Sequence, residues 1–232
     1  MIIKKFNSKD DLAECASEII INEIRHKPDL LLCTATGSSP TEIYRNLSEK
    51  KYRFATDKLR ILKLDEWGGI DMENPESCES YLQKNVIQPL QILPQRFISF
   101  HSNAESPDHE IERIKSELLK NGPIDVCILG LGLNGHIAFN EPAECLLPEC
   151  HLVALSSESM NHPMAKKMNQ KPGYGLTIGM ADILKSKKII MVISGKNKEA
   201  VKEKLFKKEI STWLPASFLW LHGNTECLVL DE

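Results

Sequence analysis

Several stretches of this chain are apolar almost without interruption: "DLLLC" in 29–33, "IDVCILGLG" at 124–132, "KKIIMVIS" at 187–194 and "ECLVLD" at 226–231. A strand that is apolar on both faces has to be covered on both faces. Parallel sheets flanked by helices meet that requirement, whereas half-solvated antiparallel sheets give an alternating pattern. Between these runs the apolar residues fall at helical spacing. The stretch "SKDDLAECASEIIINEIRHK" opens on a capping serine, Ser8, and places Leu12, Ala16, Ile19, Ile20 and Ile24 along one face. The pattern predicts strands at 1–6, 29–37, 58–67, 96–100, 124–132, 187–194, 216–222 and 226–231, with "CHLVAL" (150–155) and a less regular segment to about Gly175 after the loop that follows 124–132. It predicts helices from Ser8, from Pro40 to 50, over 77–90, over 109–121 and over 197–207. There is no repeat, low-complexity tract or linker, so one α/β domain over 1–232 is expected, with a mostly parallel central sheet and helices on both faces.

Composition narrows the partners. A net charge of −3 leaves no basic excess for neutralising a nucleic-acid backbone or an anionic membrane. The N-terminus has no cleavable apolar segment and no later run is long enough to span a bilayer, which predicts a cytoplasmic protein. The seven cysteines are odd in number and irregularly spaced, without a CxxC pair or a zinc-like histidine spacing. They read as reduced and structural, and no metal site is expected.

Ligands of parallel α/β folds bind beyond the carboxyl ends of the strands. Three such ends are unusual here. In "TATGSSPTEIY" (34–44) a strand runs into Thr36, Gly37, Ser38 and Ser39 before a helix begins. Glycine lets the backbone approach an anion, helix-start amides point toward it, and Ser38, Ser39 and Thr41 add hydroxyls. The endings of a Walker loop and of a dinucleotide fingerprint are absent, so a sugar phosphate fits better than a nucleotide; taken alone, the stretch fits a capped helix start equally well. In "LKLDEWGG" (62–69) an Asp-Glu pair closes an apolar strand, one carboxylate near a ligand and the other pointing away. A carboxylate so placed can take a proton next to a carbonyl or imine carbon, and it can also be a solvated strand end. In "LGLGLNGHIAFNEP" (129–142), Gly130, Gly132 and Gly135 allow a tight path, His136 is a proton shuttle suited to neutral pH, and Glu141 is near enough in sequence to hold it.

Together, "TATGSSP", "LKLDEW", "NPESCESYL" and "GLGLNGHIAFNEP" resemble, in order and spacing, the glucosamine-6-phosphate deaminase and 6-phosphogluconolactonase superfamily. The resemblance covers essentially the whole chain and implies a modified Rossmann-like fold of the aminosugar-phosphate isomerase type. The lactonase branch lacks the FNEP continuation, so Asn140, Glu141 and Pro142 favour the aminosugar side. Within it, Trp67 in "DEW" and Asn134 in "LNGH" are similar to the galactosamine-6-phosphate deaminase/isomerase branch, where the glucosamine enzymes usually carry tyrosine and aspartate.

The resemblance implies a cofactor-independent aldose–ketose isomerisation of galactosamine 6-phosphate to tagatose 6-phosphate with loss of ammonia. By the same resemblance His136 opens the pyranose ring, Asp65 moves the proton from C2 to C1, and Glu141 orients His136 with Asn134 beside it. Asn134 can orient the ring by hydrogen bonding but brings no charge. Thr36, Gly37, Ser38, Ser39, Gly135 and Lys198 are implied for substrate and phosphate, with no metal and no cofactor. The glucosamine enzymes also use an arginine from the middle segment. No arginine follows Arg113 here, which leaves that role vacant or passes it to Lys166 or Lys167. Residues 156–175 read as a flap over the site. Glucosamine 6-phosphate as substrate, lactone hydrolysis and a non-catalytic sugar-phosphate sensor are the alternatives. The expected partner is a small phosphorylated amino sugar, with neither nucleic acid nor membrane, and a homo-oligomer is left open. The chain ends directly after its last strand, without the extension of the allosteric hexamers, so a non-allosteric enzyme is expected.

Overall fold

In the computed structural model, which describes residues 1–231, the apolar runs become the strands of one parallel sheet. The strands are β1 Ile2–Phe6, β2 Leu31–Thr34, β3 Arg60–Lys63, β4 Asp65–Gly68, β5 Phe97–Ile98, β6 Val126–Gly130, β7 His151–Val153, β8 Tyr174–Thr177, β9 Lys188–Ile193 and β10 Thr225–Leu230. The α-helices are α1 Lys9–His26, α2 Thr41–Glu49, α3 Cys78–Leu82, α4 Pro107–Asn121, α5 Ser157–Met160, α6 Pro163–Lys167, α7 Met180–Leu184 and α8 Glu199–Phe206. Seven strands pair in the order β1-β10-β9-β6-β2-β3-β5, every pair parallel. A second, antiparallel sheet has the order β4-β8-β7.

Strand periodicity divides the core. Along β6, Val126 and Ile128 join the apolar layer under α1 and α2, while Cys127 and Leu129 face the opposite layer. Along β9, Ile190 and Val192 go one way and Ile189, Met191 and Ile193 the other. Both faces are therefore covered, which is why these strands carry no polar alternation. Helix α1 starts where its sequence says: the Ser8 hydroxyl accepts from the Asp10 and Asp11 amides, and Leu12, Ala16, Ile20 and Ile24 are buried.

Three expectations are corrected. The run 58–67 is not one strand. It breaks at Leu64, whose amide bonds the Thr34 carbonyl while its own carbonyl receives the Ile178 amide. β3 stays in the large sheet and β4 crosses to the small one, with Asp65 opposite Thr177. The run 216–222 is not a strand but a 3-10 helix, Pro215–Leu221. Pro215 opens it, Ala216 and Leu219 pack into the core three residues apart, and β10 already fills the slot between β1 and β9. The helix expected over 77–90 holds α-geometry only through Leu82 and continues as a π-helical turn, Gln83–Ile87.

Candidate active site

The four central strands lie in the order β9-β6-β2-β3, and each delivers one of the singled-out segments at its carboxyl end. Their ends surround a cavity of about 590 Å³. Thr36, Gly37, Ser38, Ser39, Asp65, His136 and Lys198 all line it. Segments more than 160 residues apart are thus brought to one rim by strand order, as expected for ligand sites at strand ends.

After β2 the chain turns at Gly37, whose φ of +99° favours glycine. Its carbonyl accepts from the Thr41 hydroxyl at 2.9 Å and from the Tyr81 hydroxyl at 2.8 Å, which turns the peptide carbonyl away from the ligand side. Ser39 Oγ lies 3.1 Å from Ser194 Oγ and 3.5 Å from Lys198 Nζ. The lysine comes from the turn after β9, and burial lowers its pKa. Hydroxyls, amides and one ammonium make this corner a set of donors matched to an oxyanion.

Asp65 and Trp67 occupy alternate positions of β4 and both face the cavity, whereas Glu66 points behind it. The Asp65 carboxylate is met by the Cys78 thiol at 4.0 Å, a weak donor. Burial, followed by the charge of Glu66, pushes its pKa up to about 7 against the pull of Lys63. Glu66 is itself fully buried and satisfied: Lys63 Nζ lies 2.6 Å away, and the amides of Trp67, Cys78 and Glu79 donate to it. Lys63 also pairs with Glu79 at 2.8 Å.

His136 follows β6 on a turn fixed by Gly132, whose amide bonds the His136 carbonyl at 3.0 Å. Glu141 Oε2 stands 3.3 Å from His136 Nδ1 and accepts from Asn134 Nδ2 at 2.9 Å. Asn134 Oδ1 in turn accepts from the His136 amide. The other Glu141 oxygen accepts from the Ser156 and Ser159 hydroxyls. Burial pushes the Glu141 pKa up, but the His136 bond and charge, with Ser159 and Asn134, outweigh it and hold the group at about 2. Glu141 and Asn134 therefore stand behind the imidazole and outside the cavity wall.

Gly135 also lies outside the wall. Its φ of +91° favours glycine, and the Leu214 side chain stands where a Cβ would be. Lys166 and Lys167 are exposed and do not line the cavity either. The segment 156–175 does lie over the site: Glu158, Ser159, Asn161, His162 and Pro163 contribute to its wall. His162, Ser194 and Lys9 line the cavity although no sequence motif marks them. Among the described residues no group of three His, Cys, Asp or Glu side chains is placed to hold a metal ion, and no helix is long and apolar enough to cross a membrane.

Known proteins share this fold. The family model described as glucosamine-6-phosphate isomerases/6-phosphogluconolactonase matches residues 6–229. The chain belongs to that family, and it is an enzyme of the glucosamine-6-phosphate deaminase group within it. It is 38% identical over 220 residues to the Escherichia coli (strain K12) protein named "Putative deaminase AgaI", covering 94% of this chain and 87% of the relative. It is 33% identical over 228 residues to the glucosamine-6-phosphate deaminase of Thermoanaerobacter sp. (strain X514), covering 96% and 90%. The solved structure of a monomeric glucosamine-6-phosphate deaminase superposes with a TM-score of 0.95 at 31% identity, covering 100% of this chain and 98% of that one. The 6-phosphogluconolactonase of Thermotoga maritima, at 16% identity and a TM-score of 0.78 over 99% of both chains, shares the fold.

Proposed function

We propose that this chain converts galactosamine 6-phosphate and water to tagatose 6-phosphate and ammonium. The observation that carries the reading is the presence of two differently tuned proton-transfer groups, Asp65 and His136, on the wall of one cavity. Asp65 is a poorly solvated carboxylate with its pKa near 7, and His136 is an imidazole held by the Glu141 carboxylate, whose pKa is lowered to about 2. A base beside C2 and a separate acid at the ring oxygen are distinct tasks, and these two environments suit them.

His136 delivers a proton to the ring oxygen and opens the pyranose. Asp65 removes the C2 proton of the open aldose, giving an enolamine, and returns the proton at C1. Water then adds to the resulting ketimine and ammonia leaves. Glu141 stabilises the charged imidazole, and Asn134 aligns both by bonding the Glu141 carboxylate and the His136 amide. Thr36, Ser38, Ser39 and Lys198 hold the phosphate.

Trp67 and Asn134 support the galactosamine ester, since both are marks of that branch. The second reading is glucosamine 6-phosphate, supported by the relatives of that name and by the 0.95 superposition. The two sugars differ at the C4 hydroxyl. Ammonia release measured in parallel on both esters separates the readings: release from the galactosamine ester is expected to dominate. Dominance of the glucosamine ester would transfer the assignment to the second reading. Release from neither would remove both and direct attention to lactones.

A further inference from the structure

The donor corner at Gly37 has a wall on its open side, and that wall is His162. Two contacts hold the ring, and one distance places its outer edge. Its Nδ1 accepts the Met164 amide at 3.3 Å. Its face lies against Trp67, with centroids 6.1 Å apart and planes at 33°. Its Nε2 lies 3.9 Å from the point where a Cβ on Gly37 would sit. Trp67 is itself packed on Phe139 at 4.6 Å, so the platform under the imidazole is rigid. With Nδ1 accepting, the neutral ring carries its proton on Nε2. Burial, then the charges of His136 and Lys198, favour that neutral form.

A neutral N–H donor is thus held over the turn formed by Thr36, Gly37, Ser38 and Ser39. The cavity lining around it carries hydroxyls, amides and the Lys198 and Lys9 ammonium groups, with the carboxylates of Glu42 and Glu158 also on that lining. A ligand group facing so many donors has to be rich in acceptors and free of protons of its own, which describes a phosphate and not a sugar hydroxyl. No arginine is among the described residues lining the cavity.

We propose that His162 is a phosphate-binding residue of this chain, donating its Nε2–H to a phosphate oxygen seated at the Gly37 turn. The inference rests on the phosphorylated-sugar reading above, and it replaces Lys166 and Lys167 as the middle-segment contact.

The test uses the full chain, inorganic phosphate as the probe, and the variants His162→Asn and His162→Gln. Asparagine is a good helix cap, so His162→Asn keeps an acceptor for the Met164 amide but does not reach Gly37. Glutamine extends an amide N–H toward the Nε2 position. Loss of one bond to a charged oxygen is expected to raise the phosphate Kd and the KM of the sugar ester together, roughly tenfold to a hundredfold, in His162→Asn. The kcat should change less than about threefold in that variant, and His162→Gln should recover most of the affinity. A phosphate Kd unchanged in His162→Asn, or an effect on kcat alone, overturns the proposal. So does a wild-type chain that binds no phosphate at millimolar concentration. Phosphate binding that depends on His162 without any ammonia release leaves the proposal standing and removes the deaminase reading. Ammonia release with phosphate affinity indifferent to His162 does the reverse.

Discussion

Lys63 Nζ lies 2.6 Å from Glu66 Oε2 with both side chains fully buried, directly behind the carboxylate that faces the cavity. Glu79 takes a second bond from the same ammonium at 2.8 Å, so the buried group of two carboxylates and one ammonium carries a net charge of −1. That charge sits behind Asp65 and opposes its ionisation. Replacing Glu66 by glutamine removes one negative charge from the group. The Asp65 pKa should fall, and the acid limb of the kcat/KM profile should move from near pH 7 toward lower pH. Lys63→Met acts in the opposite sense and should move the limb upward. It should also cost about 3–5 kcal/mol of stability, because it leaves buried carboxylates without their cation. A pH–rate profile of each variant decides the matter; limbs that stay in place would show that the pair does not tune Asp65.

The same elevation of Asp65 has a consequence for folding. A carboxyl whose pKa is higher folded than unfolded binds its proton more tightly in the native state. Stability attributed to it is therefore present below the unfolded pKa, near 4, and is lost as the pH rises to about 7. Three pH units correspond to about 4 kcal/mol. Asp65→Asn should abolish ammonia release yet raise stability relative to the wild type, with the gap opening between pH 4 and 7 and constant above. Denaturant unfolding of both proteins at pH 4.5 and 8 measures that gap. An equal difference at both pH values would mean that Asp65 titrates normally.

Much of this site is readable from the chain before it is folded. The apolar runs identify β2, β3, β6 and β9, and their glycine- and carboxylate-rich ends identify Thr36 to Ser39, Asp65 and His136 as candidates. Strand order is not readable, because nothing local says that β9, β6, β2 and β3 are consecutive neighbours. The switch of sheets at Leu64 is hidden for a related reason: the run 58–67 has one composition throughout, and only the pairing of Asp65 with Thr177 reveals the break. The segment 215–221 is misread because a short apolar run fits a strand and a 3-10 helix alike. His162 leaves no trace in sequence, since its place depends on Trp67 and Gly37, which are distant in the chain.

Gly132 is required by its neighbour and not by its own backbone. A Cβ built there would lie 2.3 Å from His136 Cδ2 and 2.4 Å from Nε2. Gly132→Ala should swing the imidazole off Glu141 and reduce kcat by about a hundredfold or more, the scale of a lost acid–base group. The backbone conformation is open to alanine, so the melting temperature should change little. Gly135→Ala is the contrasting case. Its φ of +91° and a 2.3 Å contact with Leu214 Cδ1 strain the fold itself. It should lower stability by about 1–3 kcal/mol. Equal losses of stability in the two variants would contradict this division.

Glu141 accepts from Asn134, Ser156 and Ser159 while facing His136, so it ties the turn after β6 to the start of α5. Its pKa of about 2 lies below the unfolded value, which fixes the sign of its linkage. The stability it contributes is present above about pH 4.5 and is lost as the pH falls toward 2. Two to three pH units amount to about 3 kcal/mol. Glu141→Gln keeps the size of the side chain and can still accept from the hydroxyls, but it removes the negative charge beside the His136 ring. Its stability deficit against the wild type should therefore be largest near neutral pH and shrink as the pH approaches 2. Its kcat should fall by about a hundredfold, with KM for the sugar ester nearly unchanged, because the carboxylate does not reach the cavity. Chemical denaturation at pH 3 and 7, with steady-state kinetics at pH 7.5, tests both halves. A deficit that is independent of pH would show that Glu141 acts through packing and hydrogen bonding alone, and a rise in KM without loss of kcat would place it in substrate binding instead.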